Sequence, residues 1–111
     1  MTIVNLYGLF VDDTRDVPTD YYKICGNWTV VYDYFTAVEF LQKYKYDFLS
    51  LDHDLASFSP DGREWTGYDI CLWLAEQKTF GLWIPPIIKV HSANPVGSTR
   101  MRGVIERYLI S

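Results

Sequence analysis

Apolar side chains occupy almost every position of the first strand-like segment, residues 3–11. A strand that is apolar on both faces is typical of a parallel sheet covered on both sides, because a sheet with one wet face alternates apolar and polar residues. Parallel strands need long crossover connections, which are usually helices. This segment therefore predicts an α/β fold.

The following segments continue the alternation of strands and helices. Strand patterns cover residues 28–32, Phe48–Leu51 and 84–90, and each is followed by a helical pattern. We expect these helices to start near caps at Thr36, Thr66 and Asn94, and the last amphipathic stretch runs to Leu109. Residues 12–26 show few apolar side chains at helical spacing, so the first connection is predicted to hold a short helix or none. The whole chain, residues 1–111, is predicted to be one small three-layer α/β domain with a parallel sheet.

The composition of the chain limits the classes of partner that we expect it to bind. Ten basic residues stand against 14 acidic ones, for a net charge of −4. Because phosphate neutralisation supplies most non-specific affinity for nucleic acid, a long duplex is not an expected partner. The sequence shows no secretory signal and no apolar stretch that could span a membrane, and its two cysteines have no CxxC spacing. We therefore expect a cytoplasmic protein without membrane contact. The oligomeric state stays open, because a four-stranded sheet has exposed edges.

Chemically useful side chains follow three of the four predicted strands. They are Asp12 and Asp13 after the first strand, Asp52, His53 and Asp54 after the third, and His91, Ser92 and Asn94 after the fourth. Both histidines of the chain are among them. Ligand sites of open parallel sheets lie at the carboxyl ends of the strands, so we expect these side chains to share one site.

Each of these residues alone has an ordinary structural explanation. An aspartate after a strand often only stabilises a turn, and a single histidine is often a packed, hydrogen-bonded residue. Taken together, however, carboxylates and imidazoles at one sheet edge repel or desolvate one another, which folding alone does not favour. The grouping therefore indicates a metal ion, a bound ligand or a shared proton.

Two compatible chemistries fit this grouping. In the first, His53 and His91 act as an acid/base pair on a phosphate ester, while Asp52 and Asp54 orient the rings. In the second, a hard cation such as Mg²⁺ is held by carboxylate oxygens, with substrate phosphate completing its coordination. The expected metal ligands are Asp12, Asp13, Asp52 and Asp54.

Several other residues are expected to bind phosphate. Ser92 and Asn94 offer neutral donors, and the helix starting near Pro95 presents backbone N–H groups. Arg15 and Arg100 are candidates only because both are expected to lie in loops. The loop from Phe58 to Tyr68 is either a lid that stacks a base or a segment packed onto the core. The sequence contains no GxxxxGK[ST], no GxGxxG and no serine nucleophile elbow.

Four segments of the chain together resemble a known family. LFVDDTRDVP, FLSLDHDL, TGYDICLWL and VHSANPVGSTRM are similar to the cyclic-phosphate-processing receiver-like domains, shortened relatives of response-regulator receivers. The resemblance implies a flavodoxin/receiver-like fold with a four-stranded parallel sheet that lacks the fifth strand. It implies an acidic pair at Asp12 and Asp13, the phospho-acceptor position at Asp52, the hydroxyl position at Ser92, and histidines particular to this family.

The resemblance also implies a function. Its members are expected to act on cyclic phosphates of nucleotides or RNA ends, and a bacterial or a phage source fits equally. A phosphoesterase-like hydrolase is therefore our first hypothesis. The alternative is a non-catalytic module that binds a cyclic nucleotide or a protein partner. A phospho-accepting signalling receiver is the least favoured, because the lysine at the end of a receiver's fifth strand has no counterpart here.

Overall fold

A four-stranded parallel sheet forms the centre of the computed structural model, which describes residues 5–109. The strands are β1 (Tyr7–Val11), β2 (Asn27–Val31), β3 (Phe48–Leu51) and β6 (Ile87–Val90), numbered in chain order. Their order in the sheet is β2-β1-β3-β6, and every neighbouring pair is parallel. Residues 3 and 4 of the predicted first strand lie outside the described residues. The predicted receiver-like α/β fold and its four-stranded parallel sheet are confirmed.

Helices connect these strands, and a short β-hairpin precedes the second α-helix. The helices are α1 (Tyr34–Lys43), α2 (Gly67–Lys78) and α3 (Pro95–Val104), and a π-helical turn (Ile105–Leu109) continues α3. The hairpin pairs β4 (Ser57–Phe58) with β5 (Glu64–Trp65), and a 3₁₀ helix (Thr19–Lys23) links β1 to β2. Within residues 5–109, no helix combines the length and the apolar character needed to cross a membrane.

One face of the sheet packs against all three helices. Leu9, Leu49 and Leu51 point to this face and are completely buried. They share one core with residues of α1, α2 and α3, which include Ala37, Leu41, Ile70, Leu74, Met101 and Val104. Burial of this apolar surface supplies the main driving force for folding.

The opposite face of the sheet is covered by aromatic side chains and the 3₁₀ helix. Phe10 meets the rings of Tyr21 and Trp28 with centroid distances of 5.7 and 6.4 Å. Trp28 lies over Gly8, where an added Cβ would come within 2.6 Å of the indole. The sequence between β1 and β2 lacks helical periodicity, and the structure confirms that no α-helix forms there. The two outer layers of the domain are therefore unequal.

Several element boundaries differ from the prediction. The cap of α1 is Asp33, whose carboxylate accepts the Thr36 N–H at 2.7 Å, so Thr36 is not the cap. The last strand begins at Ile87, because Pro85 and Pro86 have no N–H to donate. The predicted cap of α3 is confirmed, and so is the Thr66–Asp69 capping box of α2.

Candidate functional site

The residues that follow β1, β3 and β6 are still held by the sheet. Asp12 N–H donates to Val31 O at 3.1 Å. Asp52 N–H donates to Val11 O, and His91 N–H donates to Leu51 O, both at 3.0 Å. These bonds extend the hydrogen-bond ladder by one residue per strand. Backbone hydrogen bonds therefore fix the carboxyl edge of the sheet, where we expected these side chains to lie close together.

Three aspartates gather at this edge and form what we call the acidic cluster. Asp12, Asp13 and Asp52 each place one carboxylate oxygen within 4.8 Å of the others. Asp12 and Asp52 are buried, whereas Asp13 is half-buried. Asp54, also an expected metal ligand, is not part of the cluster, because its carboxylate is exposed and contacts His53.

Hydrogen bonds to Asp12 hold its carboxylate in place. Oδ1 accepts the backbone N–H groups of Thr14 and Arg15, both at 2.9 Å, and Oδ2 lies 3.0 Å from Nε2 of His91. Burial alone would raise the pKa of Asp12, but these hydrogen bonds outweigh burial and lower the pKa below its ordinary value. Asp12 is therefore a buried, ionised carboxylate.

His91 uses both of its ring nitrogens within the protein. Nε2 faces Asp12, and Nδ1 lies 2.7 Å from Oγ of Ser50. The ring stacks on Phe10 with a centroid distance of 4.4 Å and an interplanar angle of 5°. Burial lowers the pKa of His91 and outweighs the opposing effect of Asp12, so the imidazole is neutral at pH 7. The contact with Asp12 is thus a hydrogen bond donated by a neutral ring, and no ring nitrogen is left for a substrate.

Unlike His91, His53 uses only one of its two ring nitrogens in contacts with the described residues. Its Nδ1 lies 2.7 Å from Oδ1 of Asp54 and 3.5 Å from the side-chain nitrogen of Asn94. Because a carboxylate only accepts, the short contact with Asp54 places the proton on Nδ1. Nε2 then carries a lone pair, and within residues 5–109 it has no hydrogen-bond partner. His53 is thus the histidine whose ring can exchange a proton with a ligand.

Two glycines let helices approach the segment that carries His53. A Cβ on Gly97, in the first turn of α3, would lie 2.5 Å from two carbon atoms of the His53 ring. A Cβ on Gly67, at the start of α2, would collide with the carbonyl oxygen of Asp52. Gly67 N–H also donates to His53 O at 2.8 Å. Close helix packing therefore fixes both the backbone and the ring of His53.

Among the expected phosphate-binding residues, Arg15 lies beside the acidic cluster. Its Nη1 donates to His91 O at 2.6 Å, its Nε lies 3.9 Å from Oδ2 of Asp12, and 46% of its side chain is exposed. Arg100 does not lie in a loop as expected but within α3, and its guanidinium stacks on the ring of Tyr68 at 4.2 Å. The structure thus places Arg15 at the site and directs Arg100 to a contact with α2.

Several polar groups in the turn before α3 are already hydrogen-bonded within the turn and the first turn of the helix. Oγ of Ser92 accepts the Asn94 N–H at 3.0 Å, and Oδ1 of Asn94 accepts the Gly97 N–H at 2.9 Å. Pro95 has no N–H. The start of α3 therefore offers fewer free donors to a phosphate than the sequence led us to expect, although Asn94 keeps its NH₂ group near His53.

The aromatic residues of the loop before α2 pack mainly onto the protein. Trp65 lies against Tyr34 with a centroid distance of 4.7 Å, and the Arg63 guanidinium covers its ring at 3.5 Å. Phe58 remains exposed. Of the two interpretations of this loop, packing onto the protein describes Trp65. Phe58 is the exposed aromatic side chain that is accessible for stacking on a base.

Sequence reasoning missed the residues that support His91. Ser50 and Phe10 lie within strands, and Tyr21 belongs to the 3₁₀ helix. One signal was present: Ser50 is a single hydroxyl inside the apolar strand FLSL. A buried hydroxyl needs a hydrogen-bond partner, so its position pointed to a polar neighbour on the next strand.

Comparison with known families identifies the domain. Residues 7–107 match the family model described as cyclic-phosphate processing receiver domain. The chain belongs to this family. The matched region contains the acidic cluster and both histidines, and it confirms the resemblance carried by the four sequence segments. A comparison with curated proteins finds no match.

Proposed function

We propose that this receiver domain is a phosphoesterase that hydrolyses a cyclic phosphate on a nucleotide or an RNA end. The proposal depends on the unpartnered Nε2 of His53, a residue whose backbone N–H donates to Oδ1 of Asp52 in the acidic cluster at 2.8 Å, in a member of the cyclic-phosphate processing family. An imidazole with one free nitrogen can take a proton from water at neutral pH. Hydrolysis of a cyclic phosphodiester needs such a step.

His53 serves as the general base and then as the acid. Its Nε2 accepts a proton from the attacking water, whose oxygen bonds to phosphorus while one ring P–O bond breaks. The imidazolium then returns the proton to the leaving oxygen, which gives a phosphate monoester and a free hydroxyl. Asp54, 2.7 Å from Nδ1, stabilises the imidazolium.

In this scheme His91 is a positioning residue and does not exchange a proton with the substrate. Our sequence-based hypothesis paired it with His53 on opposite sides of one phosphorus atom. Because Asp12 and Ser50 occupy its two nitrogens, we assign it the role of holding Asp12 in the acidic cluster.

The acidic cluster suits a hard divalent cation such as Mg²⁺. Asp13 and Asp52 supply most of the free oxygen lone pairs, because Oδ1 of Asp12 already accepts two backbone N–H groups. A bound Mg²⁺ would neutralise the phosphate charge that three carboxylates would otherwise repel. Arg15, half-exposed beside the cluster, is the proposed phosphate-binding side chain, helped by the NH₂ group of Asn94.

The test is turnover of cyclic nucleotides followed by ³¹P NMR. The protein is incubated with 2′,3′-cyclic and with 3′,5′-cyclic mononucleotides in the presence of Mg²⁺. We expect a monoester product from one of these classes and a loss of about a hundredfold or more in rate for His53→Gln. An unchanged rate in this variant would remove the acid/base role.

Two other outcomes would favour the alternatives. Stoichiometric binding of a cyclic nucleotide without product would indicate a non-catalytic binding module. Labelling by acetyl phosphate and Mg²⁺ that is lost in Asp52→Asn would indicate a phospho-accepting receiver.

A further inference from the structure

The strand β6 forms one edge of the sheet. In the described part of the chain it pairs only with β3. His91, which follows β6, donates its N–H to Leu51 O. Because backbone groups alternate sides along a strand, those of Lys89 also face β3, whereas the N–H and C=O groups of Ile88 and Val90 point away from the sheet. An edge of this kind is a template for pairing with another strand.

A groove lies beside this edge, between β6 and α3. Its volume is about 340 Å³. The lining residues come from β6 and from the end of α3 with its π-helical continuation, and they are Ile88, Lys89, Val90, Arg102, Ile105 and Glu106. Apolar side chains of both elements thus lie next to two side chains of opposite charge from the helix. We call the outward backbone groups of β6 together with this groove the β6 edge.

Arg102 and Glu106 make the β6 edge complementary to itself. Both side chains are exposed, and among residues 5–109 neither makes an ion pair, a hydrogen bond or a ring contact. They are four positions apart, about one helical turn. A two-fold axis through the edge reverses both the strand and the helix, so Arg102 of one copy lies opposite Glu106 of the other, and the reverse pair forms at the same time.

We propose that the β6 edge pairs with the same edge of a second copy of this chain and forms a two-fold dimer with one continuous sheet. The two β6 strands are antiparallel. The register that sets Ile88 opposite Ile88 of the second copy places Lys89 against Ile87, which is 51% exposed in the single copy. Like charges then do not face each other, because Lys89 directs its Nζ over the Tyr21 ring at 4.8 Å.

The other edge of the sheet lacks this self-complementarity. A groove of about 400 Å³ also borders the edge strand β2, and aromatic side chains form most of its lining. Its charged lining residue is Lys45, and no acidic residue lines it. Two copies joined there would bring together two lysines without a counter-charge. The charges therefore favour the β6 edge as the surface for a second copy.

The dimer does not depend on the proposed function. Because the two β6 strands run in opposite directions, the carboxyl edges of the two sheets point to opposite ends of the dimer. Both acidic clusters then stay accessible. The measurements below use no substrate, so a failure of turnover would leave this proposal standing, and a failure of dimerisation would leave the proposed function standing.

Analytical ultracentrifugation of the full chain gives the first test. At low salt we expect an equilibrium between monomer and dimer with a dissociation constant in the micromolar range, because the paired strands are short and the interface is small. Added salt should weaken the dimer, since exposed ion pairs are screened. A wild type that stays monomeric up to millimolar concentration would overturn the proposal.

Charge reversal tests which surface pairs. Arg102→Glu sets two acidic side chains opposite each other at both ion pairs of the dimer, and Glu106→Arg sets two basic ones there. Each variant alone should dimerise at least about tenfold more weakly than the wild type, because like charges facing each other across an interface are strongly unfavourable. Since both side chains are exposed, neither variant is expected to disturb folding. Unchanged dimerisation in both variants would overturn the proposal.

A mixture of the two variants tests the two-fold arrangement itself. In a mixed dimer, each acidic side chain of the Arg102→Glu copy faces a basic side chain of the Glu106→Arg copy. Native mass spectrometry distinguishes the mixed dimer from the two uniform ones by mass, and the mixed dimer should be the dominant species. A mixture without this enrichment would overturn the proposal, even if each variant alone is monomeric.

The matched controls reverse exposed charges outside the groove. Lys23→Glu and Glu64→Arg change the net charge by the same amounts as the two test variants. Both should dimerise like the wild type. A similar weakening in the controls would assign the effect to overall charge and overturn the proposal.

Amide hydrogen exchange reports on the strand pairing. The Ile88 N–H points away from β3, so it should exchange rapidly in the monomer and become protected as the wild-type concentration rises. In Arg102→Glu at the same concentration it should stay unprotected. The Lys89 N–H already faces β3 and is the internal reference. A dimer in which the Ile88 N–H remains unprotected would place the interface elsewhere and overturn the proposal.

Discussion

The imidazole of His53 lies over the α-carbon of Gly97, where a methyl group would come within 2.5 Å of ring atoms Cγ and Cδ2. Gly97 is in the first turn of α3, next to the capping residue Asn94. A glycine inside a helix is unfavourable by itself. Here its missing side chain leaves room for the ring that we propose as the acid/base group.

Gly97→Ala should therefore displace the His53 ring. We expect the rate on a cyclic nucleotide to fall by up to about a hundredfold, because misplacing a reacting group by about 1 Å can have that effect. The matched control is Gly103→Ala in the same helix, where an added Cβ meets nothing within 4 Å. That variant should gain about 0.5–1 kcal/mol in unfolding free energy and keep its rate. Equal rates for both variants would contradict the packing role of Gly97.

Asp54→Asn tests the carboxylate that contacts Nδ1 of the His53 ring. The neutral side chain no longer stabilises the imidazolium formed during the reaction, so the rate should fall. Because 61% of the Asp54 side chain is exposed, solvent screens the pair, and we expect an effect of only about fivefold. Asp20→Asn is the control, since Asp20 is an exposed aspartate on the 3₁₀ helix. A similar loss of rate in Asp20→Asn would assign the effect to overall charge.

The sequence was sufficient to predict the sheet. Residues 7–11 are apolar on both faces, and a strand of this kind needs cover on both sides. The caps at Thr66 and Asn94 were also predictable, because the capping residue and its partner are three positions apart in the chain. The cap of α1 was missed because Asp33 and Thr36 both fit a cap, and only the structure shows which side chain accepts the N–H.

The supports of the site were less predictable. Polar residues after successive parallel strands must meet at one edge, so topology alone pointed to Asp12, Asp52 and His91. The contact between Ser50 and His91 depends on strand register, and the position of Tyr21 depends on a 3₁₀ helix without a periodic pattern. These long-range contacts distinguish the roles of the two histidines, which looked equivalent in the sequence.

Metal binding gives a prediction that needs no substrate. Titration with Mn²⁺, followed by calorimetry or electron paramagnetic resonance, should show one site in the wild type that Mg²⁺ competes for. Asp52→Asn and Asp13→Asn should each weaken binding at least about tenfold, because they remove most of the free carboxylate oxygens of the cluster. Asp20→Asn should bind like the wild type. Equal affinity in all four proteins would place the cation elsewhere or show that it binds non-specifically.

The buried His91 predicts how stability depends on pH. Burial lowers the pKa of His91 in the folded state, so the unfolded chain, with an ordinary histidine pKa of about 6.5, binds more protons as the pH falls. The free energy of unfolding should therefore decrease as the pH drops below about 6.5, towards the folded-state pKa. The pKa of Asp12 is also lowered, and its contribution is lost only in a more acidic range, below the ordinary aspartate value of about 3.9.

Urea denaturation between pH 5 and pH 7.5 isolates the histidine contribution. His91→Gln keeps an N–H donor but does not titrate, so its unfolding free energy should depend less on pH than that of the wild type. His53→Gln is the control for removing a histidine from the same edge of the sheet, and it should retain the contribution of His91. If His91→Gln shows the full wild-type pH dependence, the imidazole is not held neutral by burial, and the contact between His91 and Asp12 would not be a hydrogen bond donated by a neutral ring.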